Sequence, residues 1–394
     1  MKNGWKTKNL GDLCQVIGGG TPSKANTKYY SGDIPWATVR DMRSEVITET
    51  ECKITKEAVN SSATNIIPMG NVVIATRVGL GKVCLLGQDT AINQDLRGIV
   101  PIDPKVVSVR FLFWWLKSIS DLMVAEGTGA TVQGVKLPFV KSLQTPVPPL
   151  PEQQRIVDIL DGAFDGIATV KANAEKNLQN AHALFESHLQ SVFTQRGTGW
   201  VDRTLDQVCI VERGSSPRPI KKYFTTDPNG VSWIKIGDTE EGGKYIYSTA
   251  QKITSQGAKQ SRFVKEGDFI LTNSMSFGRP YIMKTSGYIH DGWFVLRLNI
   301  SIDTDYFYYL LSSRFVQSQF AQLASGSVVK NISGDLVKKA VLPIPPLAHQ
   351  HIIVEKLLEI SAETQRLESL YQHKIEALDA LKKSILHHAF SGQL

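Results

Sequence analysis

The spacing of apolar residues changes character twice along the chain. Over 151–197 Gly and Pro nearly vanish, and apolar or small residues recur every three or four positions, through Ile156, Leu160, Ile167, Leu178 and Phe185. His188 is the one polar member of that series. Over 348–394 the same spacing runs through Ile353, Leu357, Leu367, Leu378, Leu381 and Ile385, with Thr364 as its weak point. Such a period predicts two amphipathic helices. Pro151 stands at the expected start of the first, and "RGTG" and "SGQL" follow the last apolar turn of each. Each helix would be about 65–70 Å long at 1.5 Å per residue. A stripe of that length needs a partner, and the other helix supplies one. The expected arrangement is antiparallel, a rod with a globular module at each end. The alternative is a helix lying across its own module.

Between the helical segments the pattern is shorter and more broken. "GNVVIATRVG", "KVCLLG", "YIYST" and "GDFILT" read as strands bounded by turns, while "FLFWWLKSI" and "DYFYYLLSSRF" read as short helices with rings on one side. These stretches, 1–150 and 198–347, predict two mixed α/β modules. They are also copies of one another. "TPVPPLPEQQRIV" from Thr145 returns as "LPIPPLAHQHIIV" from Leu342, an offset of 197. The same offset pairs Trp36 with Trp233, Asp41 with Asp238, Gly70 with Gly267, and "GATVQGVKLPFVK" with "GSVVKNISGDLVK". Near the module starts the offset drifts to 195, where Trp5, Leu10, Cys14, Gly19 and Pro22 face Trp200, Leu205, Cys209, Gly214 and Pro217. A constant offset over separated blocks marks a duplication. The expected fold is α/β, with two similar mixed α/β globular recognition domains separated by two long antiparallel helices in a pseudo-two-fold internal repeat. Its parts are 1–150, 151–197 (spacer, coiled coil), 198–347 and 348–394 (spacer, coiled coil).

Charge follows this division. Residues 1–150 carry 17 Lys and Arg against 12 Asp and Glu, and 198–347 carry 18 against 13. The helical segments carry 4 against 6 and 5 against 6, so the chain's excess of +7 sits in the modules. That excess fits either solubility charge or two heads for a polyanion, and a two-fold repeat suits the two-fold symmetry of a duplex. Mean hydropathy of −0.12 argues against disorder. No apolar run reaches the length of a bilayer span, and no signal-peptide pattern opens the chain. Cys14, Cys52, Cys84 and Cys209 lack CxxC spacing, so a reduced, cytoplasmic protein without a structural zinc is expected.

Three turns carry candidate DNA contacts. "VIGGGTPSK" offers Thr21, Ser23 and Lys24 beside glycine N–H groups, and its counterpart "VERGSSPRP" offers Arg213, Ser215 and Arg218. Both suit a phosphate oxygen, and both equally suit a plain turn between strands. In "WATVRDM", strand alternation would put Trp36, Thr38 and Arg40 on one face, with Trp36 better placed in a core. Lys235 is the basic residue of the same parity in "WIKIGDT". "ATRVGLGKV" places Arg77 and Lys82 about a glycine turn where "TNSMSFGRP" has Asn273, Ser274, Ser276 and Arg279. Arg suits guanine and Asn suits adenine, so the copies would read different bases; a solvated turn is the other reading.

No catalytic constellation accompanies these turns. His290 stands alone in its module and no histidine recurs at the 197 offset. There is no Walker motif, no dinucleotide fingerprint and no defensible nuclease cluster. "PVPPL" and "PIPPL" lack the polar and aromatic neighbours of an amino-methyltransferase motif. A standalone DNA methyltransferase or nuclease is therefore disfavoured. A coiled-coil adaptor without DNA specificity is the remaining rival.

Taken together, "W…LGDLCQVIGGGTPS", "IPWATVRDM", "INQDLRGIV" and "VPPLPEQQRIVDIL", with "WVDRTLDQVCIVERGSSP", "VSWIKIGD", "IPPLAHQHIIVEKL" and "LKKSILHHAFSG", resemble the specificity subunits of Type I restriction–modification enzymes. The resemblance spans essentially the whole chain. It implies two target recognition domains, each binding one part of a split double-stranded DNA target. It also implies docking of two methyltransferase (modification) subunits and of restriction/translocase subunits. S-adenosylmethionine, ATP and Mg2+ would serve those partners, and this chain would hold no metal and no cofactor. One departure is "LAHQHII" in place of "LPEQQRI", which predicts weaker capping at the second helix start.

Overall fold

The computed structural model describes residues 4–128, 134–240, 242–273, 278–324 and 333–394. The chain divides into two units, 1–175 with 372–394, and 176–371.

In the first unit a five-stranded sheet runs in the order Cys14–Gly18, Leu96–Pro101, Val72–Ala75, Val83–Leu86 and Val46–Ile47. All its pairings are antiparallel except the last. Its middle strands are buried on both faces, which is why "VVIA" and "VCLL" show no alternation. Val72 and Ile74 point into one core and Val73 and Ala75 into another. The first core receives the helix Val109–Ser118, whose Phe111 to Leu116 are all buried, and the long helix Leu150–Thr194 through Ile156, Leu160 and Phe164. Beyond the second core lies a four-stranded sheet, Cys52–Ile54, Ile34–Ala37, Thr90–Ile92 and Asn65–Ile67.

The second unit repeats this plan. Cys209–Arg213, Trp293–Leu298, Phe269–Thr272, Pro280–Met283 and Tyr245–Ile246 form the equivalent sheet, again with a parallel last pair. Phe269 and Leu271 face one core, Ile270 the other. Its outer sheet has one strand more, Phe224–Thr225.

The proline-rich signatures have a shared physical role. In the first unit Gln144–Val147 pairs antiparallel with Lys6–Asn9, and in the second Val341–Ile344 pairs with Val201–Thr204. Each ribbon delivers the chain to a long helix. The Pro149 carbonyl accepts from the N–H groups of Glu152 and Gln153, and the Pro346 carbonyl from those of His349 and Gln350. Both helices thus open with the same two backbone bonds. Behind each start lies a buried glutamine. Gln153 accepts from Ser108 N at 2.9 Å and donates to the carbonyls of Val106 and Pro148 at 2.9 and 2.8 Å. Gln350 accepts from Asp303 N at 2.8 Å and donates to Pro345 O at 2.9 Å.

The long helices, Leu150–Thr194 and Leu347–Ser391, run antiparallel within each unit. In the first unit Arg155 donates to the Leu394 carbonyl and Lys171 pairs with Asp379 at 2.6 Å. In the second His182 meets Glu368 at 2.7 Å. The stripe is divided differently from the expected rod. Ile156, Leu160, Ile167 and Leu357 are buried, and all belong to the cores of the globular parts. Leu178, Phe185, Ile353, Leu367, Leu378 and Ile385 are only half-buried, while Leu381 and Val170 are exposed. Leu386 and Ala389 take the buried places in the last turns. Each helix end therefore lies across a module as well as along the other helix. A sheet-backed core removes more apolar area from water than one neighbouring helix can.

Candidate nucleic-acid interface

In the first unit a cleft of 1030 Å3 opens beside the outer sheet. The glycine-rich turn forms one wall. A Cβ on Gly19 would lie 2.1 Å from the Asn93 carbonyl, and one on Gly20 would lie 2.6 Å from the backbone of Ala63 and Thr64. Glycine is needed here because two backbones meet. The Gly20 carbonyl accepts from Trp36 Nε1 at 3.1 Å and from Thr64 Oγ1 at 2.8 Å. Trp36 is buried as expected and meets Tyr30 edge-on. Thr21 bonds to Gln94 from the opposite wall, and Lys24 also lines the cleft. Ser23 is exposed on the same turn.

Arg40 lines the cleft too, but not as a strand residue. The strand stops at Ala37 and a 3-10 turn covers Val39–Asp41. Asp41 causes this. It accepts from Thr38 N and Glu51 N, each at 2.7 Å, and pulls the chain into a capped turn. Asp238 does the same in the second unit, accepting from Lys235 N at 2.7 Å and Ala250 N at 3.0 Å. Alternation consequently fails beyond Ala37. At the 197 offset Arg40 answers to Gly237 and Lys235 to Thr38, so the parity match of Arg40 with Lys235 does not hold.

The loop after Ala75 does not act as one patch. Arg77 pairs with Asp95 at 3.5 Å on the cleft side, where Val78 also lines the wall. Lys82 lies in a different groove, its Nζ 3.5 Å from the Met42 carbonyl. In the second unit Arg279 likewise lines a groove with Lys244, Tyr308 and Glu186. Asn273 is 1% exposed, and its side chain donates to the Asp291 carbonyl at 3.2 Å. It braces the turn and is not presented to a ligand, contrary to the expectation from its matching position. Ser274 and Ser276 lie outside the described residues.

The second unit gathers other side chains where the first has its cleft. Gly214 again touches backbone, its Cβ position 2.0 Å from the His290 carbonyl. Ser216 Oγ donates to Asp291 at 2.7 Å, and Arg218 approaches the same carboxylate at 3.4 Å. The Ser216 bond holds Asp291 below the usual carboxylate range. Arg213 donates to the Asp291 carbonyl and Ser215 to that of Gln260. His290 accepts from Gly292 N at 2.8 Å and lies beside Trp233; burial pulls its imidazole below the ordinary value. Lys235 is half-buried and close enough to act electrostatically on His290.

Sequence reasoning missed Gln94, Ser216 and Asp291 as wall residues and set His290 aside. The available signal was position: Asn93–Gln94 and His290–Asp291 share the 197 offset and follow matched strands. Both sites set a buried tryptophan beside hydroxyls and guanidinium or ammonium groups, and the first opens as a cleft. That donor set suits phosphates and base edges. Among the described residues no three His, Cys, Asp or Glu side chains form a metal-type cluster, and no helix is long and apolar enough to cross a membrane.

A fold built twice around such glycine turns, each unit joined to a long helix by a proline-rich ribbon, is that of a family. The Type I restriction modification DNA specificity domain matches residues 2–179 and again 197–377, and the chain belongs to that family. Among curated relatives, the Type I restriction enzyme MjaIX specificity subunit of Methanocaldococcus jannaschii is 24% identical over 99% of this chain and 93% of its own length. The EcoR124I/EcoR124II specificity subunit of Escherichia coli is 35% identical over 40% of each chain. The fold matches a chain from a structural study of complex assembly and conformational transition of the type I R-M system, with a TM-score of 0.82 and 20% identity over 100% and 99% of the two chains. It also matches the HsdS subunit of Thermoanaerobacter tengcongensis, with a TM-score of 0.66 and 21% identity over 100% and 98%.

Proposed function

We propose that this chain is the non-catalytic DNA-reading subunit of a Type I restriction–modification assembly, and that each unit contacts one part of a bipartite duplex target. The observation that carries this reading is the twice-built glycine turn, closed on matched backbone in each unit. Gly19 meets the Asn93 carbonyl and Gly214 the matching His290 carbonyl, while the side chains around them differ: Thr21, Gln94 and Arg40 in one unit, Ser216, Asp291, Arg218 and His290 in the other. A shared frame with different donors is what two half-sites of different sequence require. In this reading the long helices serve two modification subunits, and restriction/translocase subunits join the same assembly. Methyl transfer with S-adenosylmethionine and ATP- and Mg2+-dependent steps belong to those partners.

The test is affinity purification of the full chain from its own cells, followed by methylation mapping of genomic DNA with the co-purified methyltransferase. Methylation at a split sequence that disappears when the chain is deleted supports the reading. Methylation that persists unchanged without the chain rejects it and favours an adaptor. Methyl transfer or cleavage that tracks this chain alone through every step rejects its non-catalytic role.

A further inference from the structure

The groove that holds Lys82 is separate from the cleft and lies within the first unit. It has a volume of 830 Å3 and is lined by Arg43, Lys82, Lys117, Lys382 and Lys383, with Glu45, Asp121 and Asp379 as the acidic residues. The charges are unevenly matched. Both Asp379 oxygens are engaged by Lys171, at 2.6 and 2.7 Å, and Asp121 faces Lys383 at 3.4 Å. Glu45 is left to serve two ammoniums, Lys117 at 2.6 Å and Lys382 at 3.8 Å. Rings back both of these cations: Lys117 lies 4.7 Å from the Phe113 centroid and Lys382 4.8 Å from that of Phe164. Lys382 is drawn below the usual lysine range, first by burial and then by Lys117. Lys82 meets the Met42 carbonyl, and no carboxylate pairs with it among the described residues. Lys117 and Lys382 are half-buried and share one carboxylate, while Lys82 is exposed beside them, so the groove carries more positive than negative charge and an anion can enter from its open side.

The second unit repeats this arrangement only in part. At the 197 offset Lys82 and Lys117 answer to Arg279 and Arg314, but Glu45, Lys382 and Lys383 answer to Gly242, Phe185 and Glu186. The two helix lysines are therefore not required by the shared fold.

We propose that this groove is a phosphate-binding subsite of the first unit, in which Lys82, Lys382 and Lys383 hold a phosphate-class anion. The loop after Ala75 favours the duplex backbone as its source, since Arg77 borders the cleft and Lys82 the groove a few residues on. Backbone leaving a half-site read in the cleft would meet the groove next, contributing affinity without sequence information. This rests on the reading that the chain binds duplex DNA.

The experiment measures binding of the full chain to short duplexes of mixed sequence as salt is raised, with chloride or inorganic phosphate at matched ionic strength. The test variant is Lys82→Gln/Lys382→Gln/Lys383→Gln. Lys8→Gln/Lys6→Gln/Lys141→Gln is the charge-matched control, and Lys82→Arg/Lys382→Arg/Lys383→Arg keeps the charge. Each neutralised phosphate contributes about 0.9 to the slope of log affinity against log salt. The test variant should lose about 0.9 from that slope, and with it the stronger competition by phosphate than by chloride. The control and the arginine variant should keep both. Loss of the phosphate-specific competition with an unchanged slope keeps the anion site but assigns it to free phosphate and rejects the backbone. No change in either overturns the proposal, and so does an effect confined to retention of a co-purified protein, which would assign the groove to an acidic protein segment. Failure of the parent chain to bind any duplex is a different outcome, because it defeats the DNA-reading function itself.

Discussion

Gln153→Leu tests how the first module is joined to its long helix. The side chain is fully buried and makes three bonds, to Ser108 N, Val106 O and Pro148 O. Leucine has nearly the same shape, so little cavity opens, and the change isolates the polar contacts. Val106 lies near the surface, so its carbonyl recovers a water bond. The Ser108 N–H and the buried Pro148 carbonyl do not, and each orphaned group costs about 1–3 kcal/mol. Part of that is offset by the apolar gain of leucine, leaving a loss of about 3 kcal/mol. For a unit of this size the midpoint should fall by roughly 6–12 °C. Gln350→Leu removes two bonds in the second unit, to Asp303 N and Pro345 O, and should cost about 2 kcal/mol there. Differential scanning calorimetry of the full chain, with each transition assigned by the paired variants, reads both losses. A Gln153→Leu chain that unfolds within about 1 °C of the parent would refute the claim that this glutamine fastens the helix start.

Three further outcomes follow from the geometry. Gly19→Ala should displace the Asn93 loop and abolish reading by the first cleft, because its methyl would sit 2.1 Å from a carbonyl; a variant with parental duplex affinity contradicts this. Asn273→Ala should lower the stability of the second unit by about 1–2 kcal/mol, since the buried amide no longer holds the Asp291 carbonyl. A change in sequence preference with full stability would instead make Asn273 a reading residue. Burial pushes the thiols of Cys14 and Cys209 up to about 12 and that of Cys84 to about 11, so they stay protonated and unreactive at pH 8, whereas Cys52 is exposed. A thiol reagent should therefore label one cysteine in the native chain and all four after denaturation, and rapid native labelling of Cys14 would contradict the packing.

The repeat and the helices were legible because they are written as periods. The offset of 197 aligns strand with strand, and the three-four spacing survives in both long helices. What periodicity does not state is which neighbour buries a stripe. Ile156 and Leu357 go to the module cores, and Leu381 goes to solvent, because tertiary contacts divide the apolar face. The cleft was half legible. The glycine turns marked a close approach, but the approach is to backbone, so a phosphate contact cannot be read from the glycines themselves. Arg40 was misassigned in geometry because one carboxylate, Asp41, converts the end of a strand into a capped turn. Asn273 was misread because matched position says nothing about side-chain direction, and its amide points inward. Gln153 and Gln350 were present in the repeat itself, as identical residues beneath the more conspicuous prolines.

The central claim is that each unit reads its own half of one duplex target. Its most direct test is to replace residues 1–150 with the matching part of a relative of different specificity. The hybrid is expressed with the chain's own methyltransferase, and genomic methylation is then mapped at single-base resolution. The account predicts a hybrid split sequence in which one half takes the relative's bases and the other half, read by the unchanged second unit, stays as it was. A change in both halves, or in neither, would contradict it.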